Sequence, residues 1–96
     1  MLVQETYKEG DTISFKTVAG EEIIARLISN SDTKIKVKKP MALTMTEKGL
    51  GMVPFTFTVS PETELEVNRN TIVFIAKTEK TMADQYIEKT TGIKLT

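Results

Sequence analysis

Residues 71–76 read TIVFIA, and the four positions from Ile72 to Ile75 are apolar with no charge among them. Successive side chains of a strand point to opposite faces, so such a run is apolar on both sides. It has to be covered by its own chain or by another copy, because an uncharged open strand recruits further strands. The rest of the sequence must therefore supply a sheet that closes on itself or joins its neighbours edge to edge.

The preceding segments alternate as half-buried strands do. TISFKTV (12–18) ends at the turn signal Ala19-Gly20, and EEIIARLIS (21–29) resumes the alternation before Asn30-Ser31-Asp32, whose short polar side chains favour turns. KIKVKK (34–39) follows and is expected to end at Pro40, giving a three-stranded meander. Register adds a constraint. Ile35 and Val37 can share a face with Leu27 and Ala25 only if the connection at 30–33 has odd length or a bulge; a two-residue turn would put lysines there. An odd loop is expected, with Lys34, Lys36 and Lys38 on the other face beside Ile24, Arg26 and Ile28.

MALTMT (41–46) and MVPFTFTV (52–59) flank EKGLG and predict an inserted hairpin within 41–62, with Pro54 at an edge or bulge because proline cannot donate to a ladder. TELEV (63–67) predicts another strand, broken by Asn68-Arg69-Asn70 before TIVFIA. Near the end, Thr81 with Asp84 resembles a capping box, Met82 and Ala83 pair with Tyr86 and Ile87, and Gly92 suits a left-handed C-cap with Ile93 after it. A helix of about ten residues is expected within 79–92, too short to persist without docking its Met82/Tyr86 stripe.

Composition narrows the chemistry. A chain of 96 residues with 40% hydrophobic and 27% charged residues reads as one folded domain, 1–96. With no cysteine and no histidine, disulfides, thiolate nucleophiles, nitrogen- or sulfur-ligated zinc and Ser-His-Asp catalysis are excluded. Neither an enzyme nor a cofactor is expected. The adjacent Glu21-Glu22 points to opposite faces, which is unsuitable for paired acid–base work. No glycine-anchored calcium loop surrounds Glu62, Glu64 and Glu66, so no metal is expected. Met41, Met45 and Met52 read as core filler in the insert. MLVQETYKEGD lacks a basic flank followed by an apolar run, and nothing approaches the roughly 20 apolar residues of a membrane span. A soluble, cytoplasmic protein with no membrane partner is the expectation.

Thirteen basic and thirteen acidic residues give zero formal net charge, against the overall positive field of a stand-alone nucleic-acid binder. The charge is uneven: residues 34–49 hold five bases and one acid. Three readings of KIKVKK stay open. The lysines keep a solvent face soluble, or they follow a phosphate backbone, or they face the alternating Glu62, Glu64 and Glu66 across a ladder. Arg69, a planar donor fork between two asparagines, suits either a ligand contact or turn chemistry.

The order of these segments resembles the bipartite motif of the Sm-like family. ISFKT leads through Gly20 into an apolar second strand and an aspartate turn at Asp32, and LEVNRNTIVFI (65–75) aligns without a gap with the family's second half. The resemblance covers 12–39 and 65–77, and the 41–62 insert and the trailing YIEKTTGIKL are similar to short Sm-like proteins of marine cyanophage type. Ala25 stands where the family has a bending glycine, the aspartate turn is one residue short, and Asn68-Arg69 replaces Arg-Gly. The resemblance implies an all-β fold, a strongly bent five-stranded Sm-like or SH3-like barrel, here with an inserted hairpin and a short C-terminal helix. It implies a homo-oligomeric ring of five to seven subunits, with the edge strand Ile72, Val73, Phe74 and Ile75 as candidate interface, and single-stranded RNA as candidate partner. The candidate contacts are Asp32, Lys34, Lys36, Lys38, Asn68, Arg69 and Asn70. The competing expectation is an oligomeric structural or protein-interaction module of phage origin that binds no RNA. A viral chain would work in the host cytoplasm.

Overall fold

The computed structural model describes residues 7–92, and in them the alternation seen in the sequence becomes one antiparallel sheet. Strands β1 (Thr12–Thr17), β2 (Glu22–Asn30), β3 (Lys34–Thr46), β4 (Gly49–Pro54), β5 (Leu65–Asn68) and β6 (Ile72–Lys77) are followed by helix α1 (Lys80–Thr91). The sheet order is β4-β3-β2-β1-β6, and β5 pairs with the first part of β3. The fold is mostly β with one C-terminal helix.

Ile13 and Phe15 of β1, Ile23, Ala25 and Leu27 of β2, and Ile35 and Val37 of β3 form the main core. Leu65 and Val67 from β5 pack on it, as do Ile72 and Ile75 from β6. Strands from both ends of the series β5-β3-β2-β1-β6 thus reach one cluster, so the sheet curls around it. Each fully buried aliphatic side chain contributes roughly 1.5–3 kcal/mol through surface removed from water.

Bulges set which side chains face that core. Val37 lies opposite Leu27, but the turn closes with Asn30 opposite Ile35, and the register slips between Leu27 and Ser29. The parity expected of an odd loop is therefore supplied by a bulge at Ile28. A second bulge, between Lys16 and Thr17 on the β1–β6 ladder, leaves Val73 as the extra residue. Ile72 and Ile75, three positions apart, would otherwise face opposite sides; the bulge lets both turn inward.

Pro40 does not end the third strand. Ile24 pairs with Met41 and Arg26 with Lys38, so Lys39 and Pro40 together stand opposite Ala25 in a third bulge. Lys39 adopts a left-handed φ of 53°, and Pro40 sits where its missing N–H is harmless. β3 can then run thirteen residues, giving its first part to β5 and its second to β4. The hairpin turns at Glu47-Lys48, with Thr46 opposite Gly49, so β4 is 49–54 rather than 52–59. Pro54 does close an edge strand, and residues 55–64 form a connection in which Phe57 is 88% exposed.

The helix begins earlier than its Thr81 cap signal. Glu79 is the N-cap, its carboxylate accepting from the Met82 N–H at 3.1 Å, and Thr81 lies inside the first turn. That hydrogen bond holds the Glu79 pKa below its ordinary value. Lys80 pairs with Asp84 at 2.8 Å, which occupies the acid that would have completed a box at Thr81. Gly92, at φ 79°, is the left-handed C-cap; Ile93 lies outside the described residues. Tyr86 joins Ile24 and Met41 in a second cluster flanked by Leu43, Met52, Met82 and Ile87. The helix therefore covers the outer face of β2 and β3, which is why Ile24, expected beside the lysines on an open face, is buried. No helix among the described residues is long and apolar enough to cross a membrane.

Candidate nucleic-acid interface

The β2–β3 turn owes its shape to Ser31. Its N–H and its hydroxyl both donate to the Lys34 carbonyl, at 2.9 and 3.1 Å, while the Lys34 N–H donates back to its Oγ at 3.3 Å. Arg69, on the 3-10 turn Arg69–Thr71 between β5 and β6, binds this loop from the side. Its backbone N–H donates to the Thr33 carbonyl at 2.9 Å and its Nε to the Ser31 carbonyl at 2.7 Å. Its Nη2 donates to Asn30 Oδ1 and, at 3.5 Å, to the Tyr7 hydroxyl. Two of the three guanidinium nitrogens, Nε and Nη2, are thus engaged by the turn, which favours the turn-chemistry reading of Arg69.

Asp32, Lys34, Asn68, Arg69 and Asn70 come together at this end of the sheet, where Lys34 lies opposite Asn68 in the β3–β5 ladder. Asn30, Ser31, Asp32 and Arg69 line a shallow depression of about 310 Å³. The side chains of Asp32, Asn68 and Asn70 are exposed and make no hydrogen bond among the described residues. Amides and a carboxylate placed this way can read donor and acceptor edges of a base. Asn30 and Ser31 were legible only as turn formers; nothing in the sequence said that Arg69 would clasp them.

Lys36 and Lys38 lead away from the turn along β3. β5 lies beside this strand, and its acids face the lysines: Lys34 Nζ is 3.3 Å from Glu66 Oε1, and Lys36 pairs with Glu66 across the ladder. Glu62, on the connection before β5, is 4.0 Å from Lys38 and 3.4 Å from Lys39. Glu64 makes no ion pair among the described residues. The charge-facing reading of KIKVKK is therefore the one realised for Glu62 and Glu66. Such exposed pairs contribute roughly 0.2–1 kcal/mol each, enough to bias register and too little to withstand a phosphate backbone.

The interface candidates divide by direction. Ile72 and Ile75 pack on the chain's own core, whereas Val73 and Phe74 are 62% and 44% exposed. Among the described residues β6 pairs only with β1, and β5 only with β3, so each has an outer edge to which no described strand is bonded. Among the described residues no group of three acidic side chains is placed to hold a metal ion. No protein-family model matches the chain, and no curated protein matches it in sequence.

Proposed function

We propose that the chain is one subunit of a closed homo-oligomeric ring of the Sm-like kind, binding single-stranded RNA without catalysis at the end formed by Asp32, Lys34 and the 68–70 turn. The observation that carries this reading is the pair of edges on β5 and β6 that no strand among the described residues occupies, the latter uncharged from Ile72 to Ala76 with Val73 and Phe74 exposed. Two different edges joined head to tail make a heterologous contact, which closes into a ring when the rotation permits. The Sm-like resemblance supports it further, since it puts the strand at 63–67 beside the lysine strand, and β5 does pair with β3. It also implies five to seven subunits.

A second reading, an oligomeric module of phage type without RNA, is favoured by a specific feature. Glu66 and Glu62 already pair with Lys34, Lys38 and Lys39, and Nε and Nη2 of Arg69 are engaged by the turn. Anisotropy titrations with labelled oligo(U), oligo(A) and mixed single strands at two salt concentrations separate the two. The RNA reading expects a log–log salt slope of up to about −3 per subunit, roughly −0.7 for each lysine-bound phosphate. It expects weaker binding in Lys36→Ala, whose ammonium makes no ion pair among the described residues. No binding at low salt by an intact oligomer leaves the second reading.

A further inference from the structure

On a regular strand Lys38 and Lys39 would point to opposite faces. The bulge at Lys39-Pro40 changes that: with Lys39 in the left-handed region, both ammonium groups reach the same carboxylate, Glu62. Backbone in a sparsely populated region persists only where its surroundings hold it, and it is held here. The Lys39 N–H donates to the Pro61 carbonyl at 2.9 Å, and the Tyr86 hydroxyl donates to the Lys39 carbonyl at 2.6 Å. Directly across the ladder from Lys38 stands Arg26, an unfavourable like-charge pairing with no carboxylate within ion-pair distance of the guanidinium among the described residues. The three cations line an open cleft of about 440 Å³, to which Glu62 and Glu9 also contribute.

We propose that Arg26, Lys38 and Lys39 form a binding site for a phosphate monoester, and that Glu62 is a built-in carboxylate that occupies it until the phosphate arrives. A bulge that turns a side chain towards its neighbour and two cations set face to face suit such a site, and of the two acids on the cleft only Glu62 pairs with the lysines among the described residues. Planar guanidinium and two point charges suit a dianion better than the single charge of a backbone diester. The latch is weak: the Lys39 side chain is only 18% exposed but that of Glu62 is 63%, and a pair so open to water costs a competitor at most about five-fold in affinity. The Glu62 backbone can stay in place while its side chain swings out, because the turn is held by the Glu62 N–H on Ser60 Oγ and the Thr63 N–H on the Ser60 carbonyl. This site lies beside the helix, away from the Asn30–Arg69 depression, and rests neither on the ring nor on RNA binding at that end.

The test is amide chemical-shift titration of the full chain, first with inorganic phosphate and then with a nucleoside monophosphate. Saturable shifts at Arg26, Lys38, Lys39 and Glu62 are expected at millimolar concentrations. Glu62→Gln should bind phosphate about two- to five-fold more tightly, and Arg26→Gln or Lys39→Gln about ten-fold or more weakly, with the Ile13 and Phe15 signals of the core unmoved as evidence of folding. Oligonucleotides with a 5′-phosphate or a 5′-hydroxyl distinguish the sources. A preference for the phosphorylated end that moves the same amides assigns a nucleic-acid terminus; equal binding assigns a small phosphorylated molecule. Amides that stay still to about 20 mM phosphate, or affinity unchanged in Glu62→Gln, would overturn the proposal.

Discussion

At the scale of single residues, Tyr86 holds the Lys39 bulge and Arg69 holds the β2–β3 turn. Tyr86 is buried, and desolvation pushes its pKa well above the ordinary 10, so its hydroxyl stays a donor to Lys39. A folded-state pKa raised above the unfolded value means that the native chain keeps the phenolic proton to a higher pH than the unfolded chain does. The stabilisation is full below about pH 10 and declines as pH rises beyond it. Tyr86→Phe should lose about 0.5–1.5 kcal/mol at neutral pH in chemical denaturation and lose the late phenolate component in an absorbance titration. An unchanged alkaline titration would show that Tyr86 is not buried as described. For the lysine strand, Glu66→Lys should raise affinity for single strands whereas Glu64→Lys should do less, because only Glu66 touches Lys34. Equal effects of the two, read by anisotropy, would mean that long-range charge and not this pair is responsible. The sequence showed both acids alternating, but which one meets a lysine depends on ladder register, and register depends on bulges that leave no residue signature.

Among the elements, helix α1 matters most, since it covers Ile24 and Met41. Tyr86→Ala should destabilise by about 3–5 kcal/mol, as removal of a buried aromatic does, and shift the Ile24 and Leu43 methyl signals. Glu79 adds a pH effect of the opposite sense. With its pKa lowered, its cap is present above the usual carboxylate range and is lost as pH falls through the folded value. Helical circular dichroism should decline in acid earlier for the wild type than for Glu79→Gln, which keeps an uncharged acceptor; coincident curves would remove the carboxylate from that role. The strands β1, β2 and β6 and the docking of Met82 and Tyr86 were readable because alternation and four-residue spacing report directly on burial. Pro40 was not. Proline normally stops a strand, and only the pairing of β3 with β2, β4 and β5 explains how a left-handed Lys39 carries the strand through it. The Glu79 cap was hidden for a similar reason: Thr81 looked better locally, but the chain leaves β6 at Lys77, and Thr78, buried against Ser14 Oγ at 2.9 Å, fixes where the helix starts.

For the molecule as a whole, the curled sheet of the described residues leaves the outer edges of β5 and β6 open, and β6 has no charge before Lys77 to deter another strand. The β4 edge differs, because Gly49, Gly51 and Pro54 make it a poor template. Edge-to-edge joining through β6 is proposed on this ground, and molar mass by light scattering at micromolar concentration is its test. A single species of five to seven chains is expected for the wild type and a folded monomer for a Val73→Lys, Phe74→Lys double variant. A wild-type chain that runs as a stable monomer would contradict it.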